Sequence, residues 1–194
     1  MPVKAGKGKN LRSLGAKFCK IMPAETRRDT VNATSANHSV VQKPRALAAI
    51  LWGGVIAGAF DLTYAIVFYS FRGVKPIRVS QSIASGLLGP KAYEGGVATA
   101  ILGVVLHFVI AIGAATVFYL VSRKLTFLTQ KPVLWGPLYG AAIYFFMHFV
   151  VLPLAANPRF RTTTISIATI SDFAVHVILI GPSIALAARR FSTN

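Results

Sequence analysis

Five ionisable side chains lie inside long apolar runs of this 194-residue sequence. They are Asp61, His107, His148, Asp172 and His176. An aspartate at the middle of a membrane helix costs about 2.5–3.5 kcal/mol on insertion scales, so such groups usually face a bundle interior and serve a function. Histidine exchanges protons near neutral pH, and coupled Asp–His pairs can relay them. Imidazole and carboxylate groups are also ligands of zinc and iron.

The elements that must position these side chains are four apolar runs without Lys or Arg. Each reaches the length that spans a bilayer, about 20 residues at 1.5 Å per residue. They are Ala46–Tyr69, Gly96–Ser122, Val133–Leu154 and Ile165–Ala188. The composition agrees, since only 13% of the residues are charged, against about 25% in soluble domains. The sequence therefore predicts an all-α membrane protein, a four-transmembrane-helix bundle spanning residues 46–190.

The loop of residues 70–95 is too long for a simple turn and contains a helical pattern of its own. Val79, Ile83, Leu87 and Leu88 recur at helical spacing before Gly89 and Pro90 end the run. This pattern predicts a short amphipathic segment between helices 1 and 2, either at the outer membrane interface or re-entrant. A lid that packs over the end of the bundle is the alternative.

The N-terminal segment of residues 1–45 has the composition of a disordered basic tail. It holds ten Lys and Arg, two acids and no apolar run, so it cannot bury enough apolar surface to fold. With both termini on one side, that side carries 15 basic residues and the other carries six. The positive-inside rule then predicts an inner-membrane protein with cytoplasmic termini. We expect the tail to meet anionic lipid and not nucleic acid.

Depth and facing bring the five ionisable groups together. Counted from the ends of their runs, all five lie about 9–17 Å below the outer boundary at 1.5 Å per residue. Tyr144, four residues before His148, shares their predicted inward face. Small residues on the same faces allow helices to approach closely in lipid. The predicted packing glycines are Gly54, Gly58, Gly103, Gly136 and Gly140. We expect them to serve the bundle interior, although they could also serve a homo-oligomer.

Several roles for this polar layer remain open. Asp–His and His–Tyr hydrogen bonds could simply hold the helices together, at about 0.6 kcal/mol each. A functional layer could handle protons or ions, bind metal through His107, His148 and His176, or hold haem between two histidines. The sequence has no hydrolase elbow, zincin motif, P-loop or dinucleotide fingerprint, so no catalytic residue is marked. We therefore expect neither an enzyme nor a bound cofactor.

Four stretches of these helices carry a family resemblance. They are Gly54–Gly58, His107–Phe108, His148–Leu154 and Ser171–His176. Together they resemble the YagU-like family of small bacterial inner-membrane proteins, in which one helix carries a His followed by a Pro-Leu pair and another carries an acid four residues before a His. The resemblance covers residues 46–190 and implies an inner-membrane location with four helices. The family has no acid at the position of Asp61 and no established activity, so the resemblance adds no mechanism.

The leading hypothesis from the sequence is a non-enzymatic membrane protein whose buried Asp/His cluster handles protons or ions. The first alternative is a structural or assembly subunit of a membrane complex, which would tolerate substitution of His176. The second is a metal-dependent membrane enzyme, which would contain bound metal.

Overall fold

The computed structural model describes residues 24–161 and 165–192, with side chains for residues 45–161 and 165–191. Its contacts divide the chain into Met1–Pro44 and Arg45–Asn194, and the fold below is that of the second unit. The helices are α1 (Ala24–Ser70), α2 (Pro76–Leu88), α3 (Gly96–Lys124), α4 (Phe127–Gln130), α5 (Pro132–Leu154) and α6 (Ile167–Phe191). The described residues contain no strand.

Four helices of the described chain are long and apolar enough to cross a membrane. The spans are Arg45–Ser70, Gly96–Lys124, Pro132–Leu154 and Ile167–Phe191. Every end lies within three residues of the predicted one. The all-α class and the four spanning helices are therefore confirmed, and the protein is a multi-pass helical membrane protein.

Local sequence signals explain where several of these helices begin. Proline occupies the first turn of α2 and of α5, where its missing N–H would have no helical partner. Helix α6 starts with a capping box, because Ser166 accepts a hydrogen bond from the Thr169 backbone and Thr169 Oγ1 accepts one from the Ser166 N–H. These reciprocal bonds satisfy two donors that a helix start leaves free.

The spanning helices form a closed ring in the order α1, α3, α5, α6. Gly54 of α1 lies against Ile112 of α3. The Tyr139 hydroxyl of α5 donates a 2.7 Å hydrogen bond to the Ala114 carbonyl of α3. On the remaining sides, Gly136 of α5 lies against Pro182 of α6, and Ile184 of α6 lies against Gly53 of α1.

The predicted packing glycines lie at close contacts within this chain. A methyl group at Gly58 would crowd Phe108, one at Gly136 would crowd Pro182, and one at Gly140 would overlap the His176 carbonyl. Small residues at such points let helix backbones approach and gain dispersion contacts that lipid does not provide. These glycines serve the bundle interior, and the homo-oligomer remains a prediction.

Helix α2 packs beside the first turns of α3 through its small and polar face. Ser80 and Ser85 are buried, and the Ser80 carbonyl lies so close to Gly103 that no side chain fits there. Gln81 Nε2 donates a 2.9 Å hydrogen bond to the carbonyl of Gly96, where α3 begins. Leu87, on the apolar face that the sequence pattern predicts, is 62% exposed. The predicted helix exists and packs on α3 through its small and polar face, while Val79 of the predicted apolar face is also buried, and Ile83 and Leu87 line an internal cavity.

Two π-helical turns interrupt α5 and α6 in the described chain. They span Met147–Val151 and His176–Ile180, and each ends two residues before a proline, Pro153 or Pro182. Proline has no N–H and its ring clashes with the carbonyl four residues earlier, so a widened turn accommodates it. Because π-turns frequently occur at functional sites, their positions at His148 and His176 are notable.

The described structure does not test the prediction that the N-terminal tail is disordered. Residues 1–23 lie outside the described residues, as do the side chains of residues 24–44, and the helix that continues into the first span begins at Ala24. Disorder of residues 1–45 stays a prediction, together with the lipid contacts of the tail and the orientation of the termini.

Candidate functional site

Two aspartates from different helices meet one histidine in the interior of the bundle. One ligand atom each of Asp61 on α1, Asp172 on α6 and His176 on α6 lies within 4.8 Å of the other two. The acid-to-histidine spacing of four residues places Asp172 and His176 on one face, with His176 Nδ1 3.5 Å from Asp172 Oδ1. Asp61 comes from the opposite side of the α1–α6 contact. We call these three residues the Asp–His cluster.

His107 borders the cluster from α3. Its Nε2 lies 3.9 Å from Asp61 Oδ2 and 2.9 Å from the carbonyl oxygen of Gly58. Since a carbonyl can only accept, His107 Nε2 carries a proton and donates it to Gly58. In the neutral ring, Nδ1 then holds the lone pair. His107 therefore orients itself on the backbone of α1 beside the carboxylate of Asp61.

His176 is fixed on its own helix at the start of the π-turn. Its Nδ1 lies 2.9 Å from the Asp172 carbonyl and must donate to it, which leaves Nε2 with the lone pair in the neutral ring. His148 repeats this arrangement on α5, with Nδ1 3.1 Å from the Tyr144 carbonyl. Each described histidine is thus held by one nitrogen and keeps the other free to bind a proton or a metal ion.

Tyr144 joins the two π-turns through its ring. It stacks on His148 with ring centroids 4.0 Å apart and meets His176 edge-on at 5.6 Å. Its hydroxyl donates a 3.2 Å hydrogen bond to the Thr169 carbonyl on α6. The Tyr144 side chain therefore packs against both imidazoles without a hydrogen bond to either ring, while its backbone carbonyl holds His148 Nδ1.

A hydrogen bond that the sequence analysis did not identify ties α1 to α6 beside the cluster. Tyr64 Oη and Ser171 Oγ are 2.6 Å apart. Tyr64 follows Asp61 by three residues and Ser171 precedes Asp172 by one. Helical spacing from Asp61 could have marked Tyr64, whereas nothing in the sequence pairs it with Ser171.

All five predicted ionisable side chains line one cavity of about 680 Å³ within the bundle. Residues of α1, α3, α5, α6 and α2 form its wall, and the remaining lining is mainly apolar. No Lys or Arg side chain of the described part lines it. Asp61 and Asp172 keep 26% and 30% of their side-chain surface accessible, so the cavity reaches both carboxylates.

The predicted metal candidates occupy different places around this cavity. Only His176 belongs to the group of donor atoms within 4.8 Å, and its companions there are the two aspartates. His107 lies next to Asp61, while His148 lies outside that group on α5. A set of two carboxylates and one imidazole can bind a proton, a small cation or a divalent transition-metal ion.

No family model matches this chain, and no curated protein or solved structure matches it either. The resemblance to the YagU-like family therefore stays a prediction.

Proposed function

We propose that this protein handles protons or small cations at the Asp–His cluster, in the inner membrane of a bacterium and with both termini in the cytoplasm. One observation carries the proposal. The carboxylates of Asp61 and Asp172 and the ring of His176 converge within 4.8 Å in a mainly apolar cavity.

The charge balance of the cavity requires a positive partner. Two ionised carboxylates this close repel one another strongly where the dielectric constant is low, and no Lys or Arg of the described lining offsets them. Intramembrane acids are retained mainly where they pair with a cation or pass one along. A proton or small cation shared between Asp61 and Asp172 satisfies this requirement.

The histidines extend the site on both sides of the carboxylates. His176 contacts Asp172, and His107 contacts Asp61. His148 lies farther along the cavity wall, where its ring stacks on Tyr144, and the Tyr144 ring also contacts His176. Because each ring keeps one nitrogen free, the three can accept and release a positive charge as it moves through the cavity.

Flux into liposomes tests the proposal. The full chain, reconstituted with a pH-sensitive dye inside the vesicles, should dissipate an imposed proton gradient. Asp172→Asn and His176→Leu should each reduce the flux to the level of empty liposomes. Glu94→Gln is the matched control, because Glu94 is an exposed acid outside the cavity, and it should leave flux unchanged.

The contrary outcome is equally defined. Flux that persists in both Asp172→Asn and His176→Leu, with the variants eluting as folded protein, would reject the proposal and favour the structural subunit.

The donor geometry also supports a second candidate function, a metal-dependent membrane enzyme. Two carboxylates and an imidazole suit zinc, manganese or iron better than they suit calcium or magnesium, which prefer oxygen ligands alone. The open cavity beside them would leave coordination positions for water and a substrate. Near-stoichiometric metal in protein purified without chelator, and its loss in Asp172→Asn, would favour this function. Protein free of metal that fails to take up added zinc would reject it.

A further inference from the structure

The cavity is much larger than a proton or a metal ion needs. Its volume of about 680 Å³ lies within the range of about 300–1,000 Å³ that is typical of small-molecule sites. The Asp–His cluster takes up only one part of the wall. The rest of the cavity wall is mainly apolar, so it suits the apolar part of a ligand.

The two acids of the cavity lie on α1 and α6, with histidines on α3, α5 and α6, whereas other parts of the wall are aliphatic and aromatic. The apolar part of the wall includes Ile83 and Leu87 of α2, Phe146 of α5 and Phe160 of the loop that follows α5. Such walls favour a ligand with an apolar body, because binding removes apolar surface of both partners from water. The site therefore pairs a negative wall with an apolar wall inside a single cavity.

We propose that this cavity binds an organic cation with a bulky apolar body, held by the carboxylates of Asp61 and Asp172. The inference rests on the proposed function, because the same carboxylates hold the positive charge in both cases, and it names the class of substrate. An organic cation satisfies both walls at once. An anion would be repelled by the acids, and a neutral lipid chain would leave the paired carboxylates without a positive partner.

The aromatic lining supports the same choice. Tyr69 and Phe146 line the cavity from α1 and α5. A cation near an aromatic face gains a further electrostatic attraction, which is strongest when water is excluded. Together with the acids, these rings give a cation more favourable contacts than an uncharged molecule of the same shape would have.

Two probes of nearly equal shape and opposite charge test this inference. Tetraphenylphosphonium is a cation and tetraphenylborate is an anion. Equilibrium dialysis with the full chain in mild detergent should give saturable binding of the phosphonium at one site per chain and no saturable binding of the borate. Equal binding of both probes, or of neither, would overturn the proposal.

Substitutions then locate the site. Asp61→Asn combined with Asp172→Asn should weaken phosphonium binding by about tenfold or more, while Glu94→Gln should not change it. Ala65→Phe places a ring into the cavity from α1, where Ala65 lines the wall, and should also weaken binding although both acids remain. Unchanged binding in the double aspartate variant would overturn the proposal.

This inference and the proposed function can fail independently of each other. Ala65→Phe should lose phosphonium binding and keep proton flux, because the Asp–His cluster is untouched. Wild-type protein that conducts protons but does not bind the phosphonium would reject this inference alone. Wild-type protein that binds the phosphonium through its aspartates but conducts no protons would reject the proposed function alone.

Discussion

Gly140 of α5 lies directly against the carbonyl oxygen of His176 on α6, so close that a single methyl group at Gly140 would overlap it. The contact falls at the first residue of the π-turn in α6. The backbone of α5 therefore fixes where α6, which carries both Asp172 and His176, lies against α5. The missing side chain of Gly140 is thus part of the geometry of the Asp–His cluster.

The first prediction follows from this contact. Gly140→Ala should push α6 away from α5 and destabilise the protein by about 1–3 kcal/mol, the usual cost of inserting a methyl group into a tight contact. It should also reduce proton flux, because His176 moves with its backbone. Thermal unfolding in detergent and liposome flux measure the two effects.

Gly113→Ala is the matched control for this prediction. Gly113 is a helical glycine of α3 with open space around it. Alanine there should leave the thermal unfolding midpoint unchanged or raise it, because alanine has the better helix propensity. Equal effects of Gly140→Ala and Gly113→Ala would show that the contact with His176 is unimportant.

The sequence predicts the spans and the members of the site because both depend on local patterns. Apolar runs and the four-residue spacing of Asp172 and His176 are visible along one chain. The predicted layer is consistent with the structure in that all five ionisable groups line one cavity. Which groups meet across helices depends on how the helices rotate and approach, and the pattern alone does not determine that rotation.

Two examples show where this limit falls. The π-turn at His148 depends on Pro153 downstream and alters the helix by a fraction of a turn, which a count in steps of four residues cannot anticipate. The α2 helix buries Ser80 and Ser85 and exposes Leu87. Amphipathic analysis expects the apolar face to make the main helix contact, whereas α2 packs on α3 through its small and polar face and turns Ile83 and Leu87 to the cavity.

The second prediction concerns the bond between Tyr64 and Ser171. Its partners lie on α1 and α6 next to the two aspartates, so it should help to hold Asp61 beside Asp172. Tyr64→Phe should lower stability by about 0.6 kcal/mol and at most about 2 kcal/mol, the range for such bonds in membrane proteins. A double-mutant cycle with Ser171→Ala, followed by thermal unfolding, isolates the pairwise contribution. Strictly additive effects would indicate that the bond contributes nothing.

The third prediction concerns how α2 is attached to the loop between α5 and α6. Asn157 is only 1% exposed, and its Nδ2 donates a 2.9 Å hydrogen bond to Ser85 Oγ. Its Oδ1 accepts from the Arg159 backbone, and the Ala156 N–H donates to the Gly86 carbonyl. These bonds hold α2 where it forms one wall of the cavity.

Asn157→Ala should therefore loosen α2 selectively. It leaves polar groups without partners at a cost of about 1–3 kcal/mol, and hydrogen exchange of the α2 amides should speed up while that of the inner half of α3 does not. Thr116→Ala serves as the control, because the Thr116 hydroxyl donates to the Ile112 carbonyl of its own helix, α3. Identical exchange of α2 in both variants would contradict the attachment.

The fourth prediction tests the orientation of the termini. This orientation is part of the proposed function, and the distribution of basic residues supports it. The chain has a single cysteine, Cys19, in the basic segment, so a membrane-impermeant maleimide reports the side of the N-terminus without any engineering. In intact spheroplasts Cys19 should stay unlabelled until the membrane is permeabilised. Cys19→Ser combined with Phe71→Cys should be labelled at once, because Phe71 follows the first span and is 90% exposed. Labelling of Cys19 in intact spheroplasts would place the ten basic residues outside and contradict the predicted orientation of the termini.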